Sequence, residues 1–436
     1  MYPRYEQYQD SGVAWLGKVP SHWKIIKNKF ILDFSKGLTI TKENLVDDGI
    51  PCVNYGEIHS KFGFEVIPER DDLKCVAKDY LQTTPTALLK NGDFVFADTS
   101  EDIKGSGNFT YLNSEISTFA GYHTIIARPD RQKVVPRFLA YMFDSDAHRN
   151  QVRAMVKGVK VFSVTQAFLK NTFAWLPPLP EQTAIAAFLD CKLAQIDALI
   201  SKQETLLAKL AEKRTALITH AVTRGLDPAA PTKASGVAWL GEVPEHWEVK
   251  KGNQIFVIHN GATPKTSESD YWGDEIVWIT PKDLGDCKAK EIGESAKMIT
   301  QAGYENCGVS LAPPNSLALS KRAPIGHLAK TTVSAVVNQG CFLLEIQDNS
   351  SNADYFYYLL TGYKDVLNSF GQGSTFMELP REKFAMLKMP FPPLPEQTAI
   401  AHYLDTQTAQ IDALSNKIRQ YLRRYHDHHQ NRHQIQ

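Results

Sequence analysis

Apolar residues recur at three- and four-residue spacing from Ile185 through Leu189, Leu193, Ile196 and Ile200, then on to Leu207, Leu210, Leu217 and Ala221. That period puts them on one face of a long helix, with Gln203 and Arg214 the polar interruptions of the stripe. Leu404, Ile411 and Ile418, continuing to Leu422 and Tyr425, repeat the pattern near the end of the chain. Pro-Pro-Leu-Pro precedes both runs. Proline breaks a helix interior but is tolerated at the first helical position. Pro180-Glu181-Gln182 and Pro395-Glu396-Gln397 are therefore predicted helix starts, each glutamate near the positive end of the helix dipole.

Each helix is then about 40 residues, on the order of 60 Å long. Neither can bury its stripe alone. Antiparallel pairing of the two predicts a coiled coil through Leu189, Ile196, Ile200, Leu207, Leu210, Leu404, Ile411 and Ile418. The competing arrangement packs each helix separately on its own domain.

The two helix starts are copies. PPLPEQTAIA occurs identically at 177 and 392, and SGVAWLGKVPSHWKIIK at 11–27 returns as SGVAWLGEVPEHWEVKK at 235–251. The offsets are 215 and 224 positions, so the material between the paired signals is nine residues shorter in the second copy. Drift after a simple duplication would spread differences evenly. Here the flanks stay nearly identical while two interiors of about 150 residues diverge, which points to a frame holding two exchangeable modules. Trp15, Trp23, Trp239 and Trp247 occupy matched places and are expected to anchor each module on that frame. After the first helix, Gly225 and Pro228 signal a turn before the polar linker AAPTKAS; the second ends instead in RRYHDHHQNRHQIQ.

Composition narrows the class. With 43% hydrophobic and 22% charged residues the 436-residue chain is of ordinary globular type, long enough for two or three domains. No membrane-length apolar run or secretory leader is evident, and a cytoplasmic location is expected. Cys52, Cys75, Cys191, Cys287, Cys307 and Cys341 are scattered without a CxxC pair, so reduced, structural cysteines are expected. Lys plus Arg equals Asp plus Glu at 48 each; any polyanion must be gripped by local patches.

The paired openings, the paired PPLPEQTAIA starts and the ALITHAVTRGLDP ending of the central helix together resemble the specificity subunit of type I DNA restriction–modification systems. So do the loop motifs Trp278–Leu284, Ser320–Gly326 and Asn338-Gln339-Gly340, with Val53–Ile58 and Asn91–Phe96 as the matching places in the first block. The resemblance covers essentially the whole chain. It implies an α/β (α+β) fold: two α/β target-recognition domains separated by two long conserved helices that form an antiparallel coiled coil, with a pseudo-twofold.

The corresponding boundaries are 1–178, 179–234, 235–392 and 393–436. The implied function is noncatalytic reading of a bipartite target in double-stranded DNA, with the helices setting the spacing. The implied partners are two methyltransferase subunits and restriction/translocase subunits. S-adenosylmethionine, ATP and Mg2+ are expected on those partners and none in this chain. The C-terminal helix departs from the usual family ending.

Base edges are read by Arg, Lys, Asn and Gln, and phosphates take most remaining contacts. The adjacent cations of the turn Lys321-Arg322-Ala-Pro-Ile-Gly326 suit this role, against the plain alternative of a solvated surface turn. Lys282 and Lys265 are further candidates, as are Lys36, Tyr55, Arg153, Lys157 and Lys160 in the first block. Gly158 and Gly373 mark corresponding loops at the 215 offset.

Asp93 followed by Asp102-Ile103-Lys104 fits the short pattern of a metal-dependent nuclease, and an autonomous nuclease is the alternative function. No GxxxxGK[ST], GxGxxG or Asn/Asp-Pro-Pro-aromatic motif is present, as a noncatalytic subunit requires. His426, His428, His429 and His433 are read as a polar helix end, with no metal site expected.

Overall fold

The structure, a computed structural model, describes residues 5–158, 160–373 and 377–433, with side chains as far as Arg424. The chain divides into two compact units, one built on the sequence up to Ser201 joined by the segment from Leu422, the other on Lys202–Tyr421.

In the first unit a five-stranded sheet has the order Leu32–Lys36, Thr124–Pro129, Phe94–Ala97, Phe109–Leu112, Glu65–Val66. Only the last pair is parallel. Phe94–Ala97, sequence FVFA, is buried along its whole length, as a strand covered on both faces must be. Its period of two sorts the side chains. Phe94 and Phe96 join Phe109, Phe143 and Leu139 under the helices, while Val95 and Ala97 join Val53, Phe119 and Ile126 under a second sheet. That second sheet has the order Cys75–Val76, Ile50–Val53, Thr118–Ala120, Leu88–Leu89.

The second unit has the same plan with little of the same sequence. Its five strands run Phe256–Asn260, Cys341–Ile346, Leu317–Ser320, Leu328–Thr331, Glu291–Ile292, again with only the last pair parallel. Leu317 and Leu319 face the helices; Ala318 faces the four-stranded sheet. The parallel pair Ile50–Val53 with Thr118–Ala120 has its counterpart in Ile276–Ile279 with Ala335–Val337. Burial pattern, not residue identity, is what the two copies share.

Each unit is closed by its duplicated signals. Lys24–Lys27 from the opening repeat pairs antiparallel with Phe173–Leu176, the strand before the central helix, and Glu248–Lys251 pairs likewise with Lys388–Phe391. The central helix then runs from Leu179 to Arg224 and the C-terminal helix from Leu394 to His433.

Within the Lys202–Tyr421 unit the two helices lie antiparallel. Arg214 Nε is 3.4 Å from Asp412 Oδ1, Ile218, Ala221 and Val222 share one core with Ile400, Ala401 and Leu404, and Gly225 ends the helix beside Glu396. Leu404, Ile411 and Ile418 are buried; Leu207 and Leu210 are half-buried. In the first unit Leu189 and Ile200 are half-buried, but Ile196 is 37% exposed. Leu189, Leu193 and Ile196 also line an open cleft of about 1200 Å3 together with Tyr141 and Asp144. The side chains of Tyr425, His426, His428, His429 and His433 lie outside those described.

Candidate nucleic-acid interface

The frame is held by the repeated Pro-Glu-Gln. Glu181 accepts from Trp23 Nε1 at 3.1 Å, lies 2.8 Å from His22 Nε2 and also accepts from the Tyr5 hydroxyl. Glu396 repeats this with Trp247 Nε1 at 3.0 Å and His246 Nε2 at 2.8 Å. Partial burial works to raise the Glu181 carboxyl, but hydrogen bonds from Tyr5, His22 and Trp23 outweigh it and hold the pKa low. The same hydrogen bond pushes the Tyr5 hydroxyl up to about 12.

The adjacent amides turn inward. Gln182 Oε1 accepts from the Val135 backbone at 2.8 Å while Nε2 donates to the Pro177 carbonyl; Gln397 does the same with Asn352 and Pro392. About two helical turns further on, Asp190 accepts from Tyr141 at 2.5 Å and Asp405 from Tyr358 at 2.6 Å. Each frame helix is thus locked to its own module by the same three side chains.

Trp23 and Trp247 behave as anchors, Trp247 being fully buried. Trp15 does not, being 58% exposed, whereas Trp239, 38% exposed, packs edge-on against the buried Tyr363 with ring centroids 4.7 Å apart.

Away from the joints, the same set of loops converges in each unit. Gly37 and Gly261 leave the first strand so close to the loop at 120–121 or 337–338 that a Cβ would overlap its carbonyls. Asn54 caps Tyr55–Ser60 with Glu57 closing the capping box, and Thr280 caps Pro281–Asp286 with Asp283. Thr99 pairs with Ser163 where Arg322 pairs with Glu378. The correspondence of the loops around Gly158 and Gly373 thereby holds in space, Glu378 standing where the first unit has Ser163.

These loops carry different chemistry. The first unit presents Tyr55 with Tyr122 and His123, ring centroids 5.6 and 5.3 Å away, and His59 at 6.3 Å. The second presents Lys282, Arg322, Asn338 and Gln339, the last accepting from Thr263.

The predicted residues divide accordingly. Lys36 ends its strand exposed, next to Gly37. Tyr55 lies at the centre of the first cluster, and Lys282 is exposed on the first turn of its helix beside Ala323, His327 and Asn338. Lys157, Lys160 and Lys265 are exposed on flanking loops.

Two predicted cations are engaged within the fold. Lys321 lies 2.8 Å from Glu378 Oε1 and 5.2 Å from the Phe342 ring, with its side chain only 15% exposed. Arg153 donates to the Lys104 carbonyl through Nε at 3.2 Å and Nη2 at 2.8 Å. Arg322 reaches Glu378 only at 3.8 Å and is the more available of the adjacent pair. Tyr122, His123 and Gln339 were not singled out from sequence, while His59 is engaged at both ring nitrogens by the Thr99 carbonyl and Asn108. A search for unlike residues at matched loop positions would have found them.

The nuclease pattern does not assemble. Asp93 is buried at the start of Phe94–Ala97 and pairs with Arg128 Nε at 3.2 Å, with burial raising its pKa. Asp102 lies beyond the other end of that strand, where Oδ1 accepts from the Gly105 backbone at 2.6 Å. Among the described residues no group of three or more His, Cys, Asp or Glu is placed to hold a metal, and no helix is long and apolar enough to cross a membrane.

Comparison with known proteins agrees with this doubled design. The MjaIX type I restriction enzyme specificity subunit of Methanocaldococcus jannaschii is 34% identical over 167 residues, 38% of this chain and 38% of that protein. The StySPI specificity subunit of Salmonella potsdam is 22% identical over 424 residues, 94% of this chain and 87% of its own. The crystal structure of the HsdS subunit from Thermoanaerobacter tengcongensis shares the fold, with a TM-score of 0.61 over 93% of each chain at 18% identity. The type I restriction modification DNA specificity domain matches twice, at residues 20–209 and 244–424, and the chain belongs to that family.

Proposed function

We propose that this chain reads a bipartite sequence in double-stranded DNA, one half with each unit, and carries out no chemistry itself. One observation carries the reading: two copies of a single fold, held by identical Glu, Gln and Asp joints, present unlike side chains from matched loops. Identical joints with unlike reading surfaces are what recognition of two different half-sites requires.

The long helices carry exposed apolar residues, Leu199, Leu206, Leu414 and Tyr421, as surfaces on which protein subunits can dock. The partners we propose are two adenine methyltransferase subunits, joined by restriction/translocase subunits. S-adenosylmethionine, ATP and Mg2+ are assigned to those partners.

Co-expression with the cognate methyltransferase, followed by mapping of methylated adenine across a genome, tests the reading. A split motif with two unlike halves, dependent on this chain, is the expected result. A continuous motif, a palindrome or methylation independent of the chain would overturn it.

A further inference from the structure

Four non-glycine residues in the described structure have positive φ, and two of them, His123 at 55° and Ala323 at 57°, fall in the twin loop clusters. Such a conformation is disfavoured for a side chain and is kept where the surroundings enforce it. At His123 the enforcement is visible. The Asp98 backbone N–H donates to the His123 carbonyl at 3.0 Å, and His123 Nδ1 lies 3.2 Å from Asp98 Oδ1. The Tyr55 and Tyr122 rings stand edge-on to the imidazole at 5.3 and 6.0 Å. The ring is fixed on one side and yet the side chain is 59% exposed.

A carboxylate only accepts hydrogen bonds, so the contact to Asp98 places the proton on Nδ1 and leaves Nε2 of the neutral ring as an outward lone pair. Nε2 has no hydrogen-bond partner among the described residues. In the major groove an isolated acceptor matches the exocyclic amino groups of adenine N6 and cytosine N4. Arg322 of the second unit's loop cluster, which faces Glu378 where the first unit sets Thr99 against Ser163, offers donors alone, the complement of guanine O6 and N7.

We propose that His123 is a specificity-determining residue for the half-site read by the first unit. Its Nε2 accepts from an adenine or cytosine amino group, and Asp98 is its positioning residue. This rests on the DNA-reading function given above.

The test uses the full chain assembled with its methyltransferase, at about pH 8, above the ordinary imidazole range. Methylated-adenine mapping is carried out for the wild type, His123→Gly, His123→Asn and Asp98→Asn. Glycine adopts positive φ without cost and asparagine tolerates it, so both replacements leave the loop its conformation.

His123→Gly is expected to relax one base pair in one half of the target. Modification of sites altered there should rise about tenfold, the discrimination of a single base contact. His123→Asn, which keeps an acceptor, should restore part of that preference. Asp98→Asn should weaken the preference at the same base pair and at no other.

An unchanged motif for His123→Gly, a change in the opposite half, or a uniform loss across all sequences would each overturn the proposal. The first two leave DNA reading by the chain intact. Absence of any motif with the wild-type chain would instead overturn the underlying function.

Discussion

Trp23 donates its indole N–H to Glu181, 158 residues further along, at 3.1 Å, and Trp247 donates to Glu396 at 3.0 Å across 149 residues. The nine-residue difference between those separations is the difference in length of the two modules. Each variable block is therefore a closed excursion that leaves from and returns to the same joint, and its length can change without disturbing the frame.

Trp247 is fully buried, so its indole N–H has no recourse to water if the carboxylate is removed. Glu396→Ala should cost about 1–3 kcal/mol, the price of an unsatisfied buried donor. Glu181→Ala should cost less, because Trp23 is only half-buried. Urea unfolding followed by tryptophan fluorescence checks the order; equal losses would contradict it.

Acid should act through the same joint. The Glu181 carboxyl is held below its ordinary pKa because hydrogen bonds from Tyr5, His22 and Trp23 outweigh partial burial. A depressed carboxylate contributes stability that is fully present above its unfolded pKa, about 4.3, and that is lost as pH falls through the folded value. Glu181→Gln should therefore be less stable than the wild type near neutrality and should lose less on acidification below about pH 4. Parallel pH–stability curves for the two proteins would exclude the joint as the acid-sensitive element.

Glu378 neutralises Lys321 at 2.8 Å and shares Arg322 at 3.8 Å. Glu378→Gln should free positive charge in the second loop cluster and tighten DNA binding by the assembled complex several-fold. The log–log salt slope should steepen by up to about 0.9 for each additional phosphate contact. An unchanged slope in fluorescence-anisotropy titrations would place both cations away from the phosphates.

With 48 cationic and 48 acidic side chains the chain lacks the basic excess of a strong autonomous DNA binder. The isolated subunit is expected to bind its target weakly and with strong salt dependence, and the methyltransferase complex to bind more tightly. Equal affinities with and without the partner would contradict this.

Much of the architecture was legible in the residues because its signals are short-range or repeated. Helix starts at Pro-Glu-Gln, the stripe through Leu404, Ile411 and Ile418, and the doubled frame all follow from local backbone chemistry and internal comparison. The match of Val53–Ile58 with Trp278–Leu284 came from the family resemblance, and the structure adds that each holds a cap and its partner three residues on.

The site was less legible, since whether a side chain is available depends on partners distant in the chain. Lys321 and Arg322 look alike as neighbours, but the return of Glu378 to the same loop engages the first far more than the second. His123 carries no local motif; its ring is oriented by Asp98 and Tyr55, which the sheet brings to it. Ile196 fits the helical period, yet it borders a cleft because period specifies a face and not what covers it. The sequence by itself determined a frame, two modules and their joints, since these depend on local geometry and repetition. Tertiary structure alone decided which matched side chains are anchors, which are neutralised and which face outward, because burial and ion pairing are set by packing between segments far apart in the chain.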